Sequence, residues 1–141
     1  MNPKRVCYYH TSTNWKHLSQ HHLNQQNQLQ LAFDLSLEHG FHNNMKLFRP
    51  PAATLRQLNA FHSLSYLHFL QQADENARPE AAKKFGIYHS CVQVEETFGL
   101  YRLIAGATIA SAEKINSDQA DIAINWSGKP STLIMFDVFF A

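Results

Sequence analysis

The sequence predicts an α/β fold, a partial, open and mostly parallel sheet with flanking helices, and three observations carry that expectation. The first is a near-continuous apolar run from Phe98 to Ala112, through Leu100, Tyr101, Leu103, Ile104 and Ile109, with no polar face before Glu113 and Lys114. A helix of that kind is expected to be covered on most sides. The second is Asp121-Ile-Ala-Ile-Asn-Trp126, a short apolar stretch with β-branched residues, bounded by turn formers before it and by Ser127-Gly128 after it. Helix, tight turn and buried strand in succession form half of a βαβ unit. The third is Ala105-Gly106-Ala107, which strips side-chain bulk from mid-helix. A helix accepts the glycine at roughly 1 kcal/mol where another backbone must approach closely. Open parallel sheets place their chemistry just past the carboxyl ends of the strands, and here that point is Trp126-Ser127-Gly128.

The remaining elements follow in chain order. Arg5-Val-Cys-Tyr-Tyr9 is β-rich and reads as a first strand. Residues 10 to 28 are polar, with only Trp15, Leu18 and Leu23 as apolar anchors, and read as a long loop. From Leu29 to Glu38 the leucines alternate as a strand would, yet Leu29, Ala32, Phe33, Ser36 and Leu37 also fit a helical stripe. Composition decides for the helix: no Val, Ile or Thr occurs between Asn14 and Ala53, and Gly40 sits where a helix would end. Met45-Lys-Leu-Phe-Arg49 reads as a second strand closed by Pro50-Pro51. Thr54-Leu-Arg-Gln57 has the form of a capping box and opens one short helix, and Ser63 is positioned to cap another through Leu67 and Leu70. Residues 73 to 84 are the most polar part and are expected at the surface.

At 141 residues the chain is one domain's worth. Lys and Arg number 12 against 11 Asp and Glu, a net charge of +1 with no long charged run, so electrostatics nominates neither nucleic acid nor a membrane surface as a direct partner. Cys7 and Cys91 lack metal-type spacing and lie in apolar neighbourhoods, as free thiols in a reducing compartment would. The N-terminus has no signal-peptide hydrophobic region and no stretch approaches a membrane span, which implies cytoplasm or nucleus.

Several strings, in this order, resemble the N-terminal part of a class I histone deacetylase. They are Val6-Cys-Tyr-Tyr9, His39-Gly40-Phe41, Met45-Lys-Leu-Phe-Arg-Pro50, Phe61-His-Ser-Leu-Ser-Tyr-Leu-His-Phe-Leu70, Ala110-Ser-Ala-Glu-Lys-Ile-Asn116 and Asp121-Ile-Ala-Ile-Asn-Trp-Ser-Gly128. The resemblance implies an arginase/deacetylase-like fold, incomplete here. Residues 1–128 would be the N-terminal part of the deacetylase domain and 129–141 an unmatched C-terminal tail. The family hydrolyses acetyl-lysine on histones with a zinc ion held by one His and two Asp, an adjacent His pair that handles protons, and a carbonyl-polarising Tyr. In the family all of these lie beyond the Asn-Trp strand, so the resemblance implies a chain truncated before its active site, with no catalytic residue, metal ligand or zinc of its own and no deacetylase activity alone. The alternative is a non-catalytic binding module that competes for co-repressor or deacetylase partners.

Two family sites are degenerate. The loop whose basic residues serve an internal cavity and inositol-phosphate contact corresponds to His21-His22 through Gln28, with Gln25 and Gln28 where the family has Lys and Arg. Recognition of several phosphates calls for clustered cations, so such binding is expected to be weak. The family's rim Asp, which holds the substrate backbone, falls on Ser90, where an acceptor-only carboxylate has become a hydroxyl. Nine histidines invite a metal reading. His21 and His22 have no carboxylate near them in sequence and read as surface residues. His39 and His42 flank Gly40 at a helix end, and His62 and His68 read as structural. Cys91 has no base beside it in sequence to make it a nucleophile. The tail segment Thr132–Phe140 has high β propensity, one charge and no Pro, the composition of an aggregation-prone strand.

Overall fold

The computed structural model describes residues 3–10, 20–76, 84–85 and 97–128; over 20–28 and 73–76, and at 97 and 128, it is the backbone that is described. Three strands, β1 (Val6–Tyr9), β2 (Met45–Phe48) and β3 (Ile122–Ile124), form one sheet in the order β2-β1-β3. Both pairings are parallel, with Tyr8 level with Leu47 on one side and with Ile124 on the other. The expected α/β class with a parallel sheet is the observed one.

The topology follows from one rule. Right-handed crossovers put a connecting helix on one face when the chain steps one way and on the other face when it steps back. The chain steps from β1 to β2 through α1 (Gln20–Glu38), then returns across β1 to β3 through α2 (Leu55–Asn59), α3 (Leu64–Asn76) and α4 (Thr97–Asn116). Accordingly α1 brings Phe33 to the Tyr8 ring, while α4 covers the opposite face through Cys7 and Tyr9. Alanines dominate this second contact: Ala107 and Ala120 are buried with Cys7 and Tyr9, and Ala110, Ala123 and Phe48 pack around them. Small side chains let the helix lie close enough for the Tyr9 hydroxyl to donate to the Ala110 carbonyl at 3.3 Å.

Helix ends form where the local chemistry predicts them. The Thr54 hydroxyl accepts from the Gln57 amide at 3.2 Å while the Gln57 side chain accepts from the Thr54 amide at 2.8 Å, a complete capping box. Ser63 accepts from the Tyr66 amide at the start of α3. Gly40, at φ 69°, leaves α1 in the left-handed region. After α4, Asp118 takes φ 55°, its amide donates to the Ile115 carbonyl, and the Gln119 amide donates to that of Lys114. This is a Schellman stop with aspartate at the position glycine usually fills.

The expected close approach at the Ala-Gly-Ala cluster is also present. The extended segment 51–53 runs against α4, where the Ala53 amide donates to the Arg102 carbonyl at 2.8 Å and Arg102 Nε donates back to the Ala53 carbonyl at 2.8 Å. A Cβ on Gly106 would stand 2.7 Å from the Ala53 nitrogen.

Four readings need correction. Residues 20 to 28, read as part of a loop, are the first half of α1. Gln is a good helix former, so the lack of an apolar stripe there marked an exposed helix rather than a loop. The helix α4 is less enclosed than expected: among its described side chains only Phe98, Ala107 and Ser111 are buried, and most others are half-buried. The last strand is Ile122–Ile124 rather than Asp121–Trp126, since Asp121 is held by Arg5 and Trp126–Gly128 turn as a 3-10 helix. His68, read as structural, is exposed on α3.

Arg5 ties the first and last strands at their amino ends. Its guanidinium bonds both Asp121 and Asp118, and its amide donates to Asp121 Oδ2 at 2.7 Å. These bonds, the Arg5 side chain first and its amide second, hold the Asp121 carboxyl at about 2, below its ordinary 3.8. A carboxyl depressed on folding adds stability that is present above about pH 4 and is lost as pH falls toward about 2. Arg5→Gln should therefore lower the melting temperature at neutral pH and show a shallower further decline between about pH 5 and 2 than the parent; thermal melts across that range check it, and parallel declines would refute it.

Candidate functional site at the strand ends

The carboxyl ends of the three strands bring together His10 after β1, Arg49 after β2 and Asn125-Trp126-Ser127 after β3. The His10 amide donates to the Phe48 carbonyl at 3.0 Å and so extends the β1–β2 ladder by one residue. The His10 ring stacks on Phe33 with centroids 3.6 Å apart and an interplanar angle of 7°. Its Nε2 is buried, with no hydrogen-bond partner among the described residues. Burial pushes the imidazole below its ordinary range, opposed by the Asp34 charge. Beneath it, burial raises the phenols of Tyr8 and Tyr9 and, against the pull of Lys114, the thiol of Cys7. Cys7 is a free, buried cysteine, and its raised pKa keeps it in the unreactive thiol form.

Asn125 organises the end of β3. Its Nδ2 donates to Thr108 Oγ1 at 3.0 Å and to the Ile104 carbonyl at 3.4 Å, both on α4. Its Oδ1 accepts from the Ser127 amide at 3.1 Å and the Ser127 hydroxyl at 2.8 Å. One amide side chain thus clamps the turn beyond β3 to the helix that precedes it, and leaves Trp126 exposed at the tip. Sequence reading singled out the Trp126–Gly128 position but missed the clamp. Its signal was Thr108, a hydroxyl set among Ile104, Ala107 and Ile109.

The backbone at His21, His22, Gln25 and Gln28 is helical, within α1, and their side chains lie outside the described residues. Ser90 and Cys91 also lie outside them, as does the tail 129–141. His39 and His42 do lie on either side of Gly40 at the end of α1, and His42 Nδ1 is buried with no partner among the described residues. His62 is half-buried in the turn between α2 and α3, where burial lowers its pKa. Among the described residues no three His, Cys, Asp or Glu side chains converge as metal ligands would. Within the described residues, what the strand-end groups do is hold backbone: Asn125 and Ser127 fix the turn beyond β3 to α4.

Open parallel α/β sheets place ligand sites just past the carboxyl ends of their strands, which is where the Asn125 turn lies. A profile of the histone deacetylase domain matches residues 22–131, and the chain belongs to the histone deacetylase family. It is 31% identical over 129 residues to "Probable histone deacetylase 1-A" of Xenopus laevis, 29% identical over 129 to human histone deacetylase 1, and 28% identical over 132 to type-1 histone deacetylase 1 of Dictyostelium discoideum. These matches take in 89%, 89% and 91% of this chain but 27% of each relative, so the chain spans about a quarter of the length of the curated relatives it matches. No helix among the described residues is long and apolar enough to cross a membrane.

Proposed function

We propose that residues 1–141 are a non-catalytic member of the histone deacetylase family, one that keeps scaffold behind the active site and does not itself hydrolyse acetyl-lysine. The observation that carries this is the sequence directly after the clamped turn. There the family resemblance calls for the adjacent His pair, whereas residues 129–141 contain no His and a single carboxylate side chain, Asp137. A water becomes a nucleophile near neutral pH on a metal held by about three protein ligands. Nothing in the tail's composition supplies that set.

A second reading, a module that competes for co-repressor or deacetylase partners, is favoured by the outer side of α1. Leu31 and Leu35, one turn apart, are 60% and 45% exposed there, opposite the Phe33 side that meets the sheet. Apolar side chains repeated at that spacing suit a partner helix or groove.

One preparation tests both. The purified chain, supplied with zinc, is expected to carry no stoichiometric metal and to turn over an acetyl-lysine histone peptide at the buffer rate. One zinc per chain with hydroxamate-sensitive turnover would overturn the first reading. If the chain also displaces a class I deacetylase from its co-repressor, and Leu31→Glu abolishes the displacement, the second reading is the working function.

A further inference from the structure

Phe33 is the aromatic side chain by which α1 meets the sheet, and it does so on two rings of β1 and its extension: His10 at 3.6 Å and Tyr8 at 5.9 Å between centroids. His10 cannot swing away as a whole, because its amide is bonded to the Phe48 carbonyl. A neutral imidazole can stack flat on a phenyl ring with one nitrogen buried and unpartnered. An imidazolium cannot do so at equal cost, since both nitrogens become charged donors and a buried donor without an acceptor is penalised.

We infer that the His10–Phe33 contact is a proton-sensitive latch, which keeps α1 docked on the sheet while His10 is neutral and releases it when His10 is protonated. The groups facing the ring support this direction. From α1 the charged group is Asp34, whose Oδ1 already accepts from Gln30 Nε2 at 2.9 Å. From β1 it is Tyr8, whose phenol is neutral far above the range concerned. From β2 the Phe48 carbonyl is occupied by the His10 amide. The Phe33 face and the Asp34 charge both attract a cation, but neither gives buried Nε2 an acceptor. Burial outweighs the Asp34 charge and holds His10 below its ordinary range. The undocked state, with the ring in water, therefore binds more protons, and docking weakens as pH falls through the ordinary histidine range.

Hydrogen exchange on the full chain at about pH 7.5 and about pH 5.5, corrected for the intrinsic rate, tests this. Amides of residues 29–38 are expected to lose protection several-fold at the lower pH, while those of residues 104–112 in α4 keep theirs. His10→Phe, which keeps a flat ring and cannot be protonated, should hold α1 protected at both pH values. Equal protection of α1 in the parent at the two pH values, a parallel loss in α4, or parent-like pH dependence in His10→Phe would each overturn the latch. Should that variant fail to fold, the imidazole titrations of the parent decide: the α1 amide shifts must follow the midpoint of His10, and a match instead to His39, His42 or His62 would exclude it.

Discussion

Gly106→Ala is expected to destabilise the fold by about 2–4 kcal/mol, whereas Gly99→Ala in the same helix should stabilise it by up to about 1 kcal/mol. Both changes add one methyl group to α4, and in both the intrinsic helix preference for alanine is worth about 1 kcal/mol. The difference is what the methyl meets. At Gly99 nothing lies within 4 Å of the new Cβ. At Gly106 it would fall far inside van der Waals contact of the Pro51 carbonyl oxygen, 2.7 Å from the Ala53 nitrogen and 2.9 Å from the Pro51 carbonyl carbon. These are backbone atoms and cannot rotate aside, so either α4 or segment 51–53 must move. Overpacking of this kind costs about 1–3 kcal/mol. The same displacement breaks the pair of bonds between Ala53 and Arg102, each worth about 1 kcal/mol. Urea unfolding of the two variants beside the parent checks the prediction, and the sign is the decisive part. A Gly106→Ala protein as stable as Gly99→Ala would mean that the close approach does not exist.

That close approach was legible in the sequence because its signature is local: three small residues in an apolar helix. The capping box at Thr54 and Gln57, the stop at Asn116-Ser117-Asp118 and the cap at Ser63 were legible for the same reason, since each joins groups a few residues apart. The start of α1 was not, because Gln20–Gln28 forms helix without an apolar stripe to announce it. The site was read less completely than the fold. Strand-end placement follows from the parallel sheet, but Asn125 meets Thr108 across 17 residues, and His10 meets Phe33 only because α1 folds back over β1. Spacing in the chain carries no record of such pairings. The half-buried state of most α4 side chains was not legible either, because an apolar run records what a helix can bury and not how much of it the neighbouring elements reach.

Asn125→Asp separates the two halves of the strand-end clamp and should cost about 1–3 kcal/mol at neutral pH, with most of the loss recovered in acid. The substitution keeps shape and keeps Oδ1, so the Ser127 amide and hydroxyl retain an acceptor. What it removes is the Nδ2 donor to Thr108 Oγ1 and the Ile104 carbonyl. A carboxylate oxygen would then face a carbonyl oxygen at 3.4 Å, and the Thr108 hydroxyl, which now donates to that carbonyl at 3.2 Å, could satisfy only one of the two. The charged form is disfavoured in the folded state, so the new carboxyl is held above its unfolded value. The penalty is therefore present at neutral pH and fades as pH falls and protonation restores a donor on that side. Asn125→Ala, which removes donor and acceptor together, should be destabilised by a similar amount with no such recovery. Comparing both variants with the parent by chemical unfolding at about pH 7 and about pH 4 distinguishes the cases. If Asn125→Asp is no less stable than the parent at neutral pH, the turn beyond β3 is held by the backbone alone and Asn125 does not clamp it to α4.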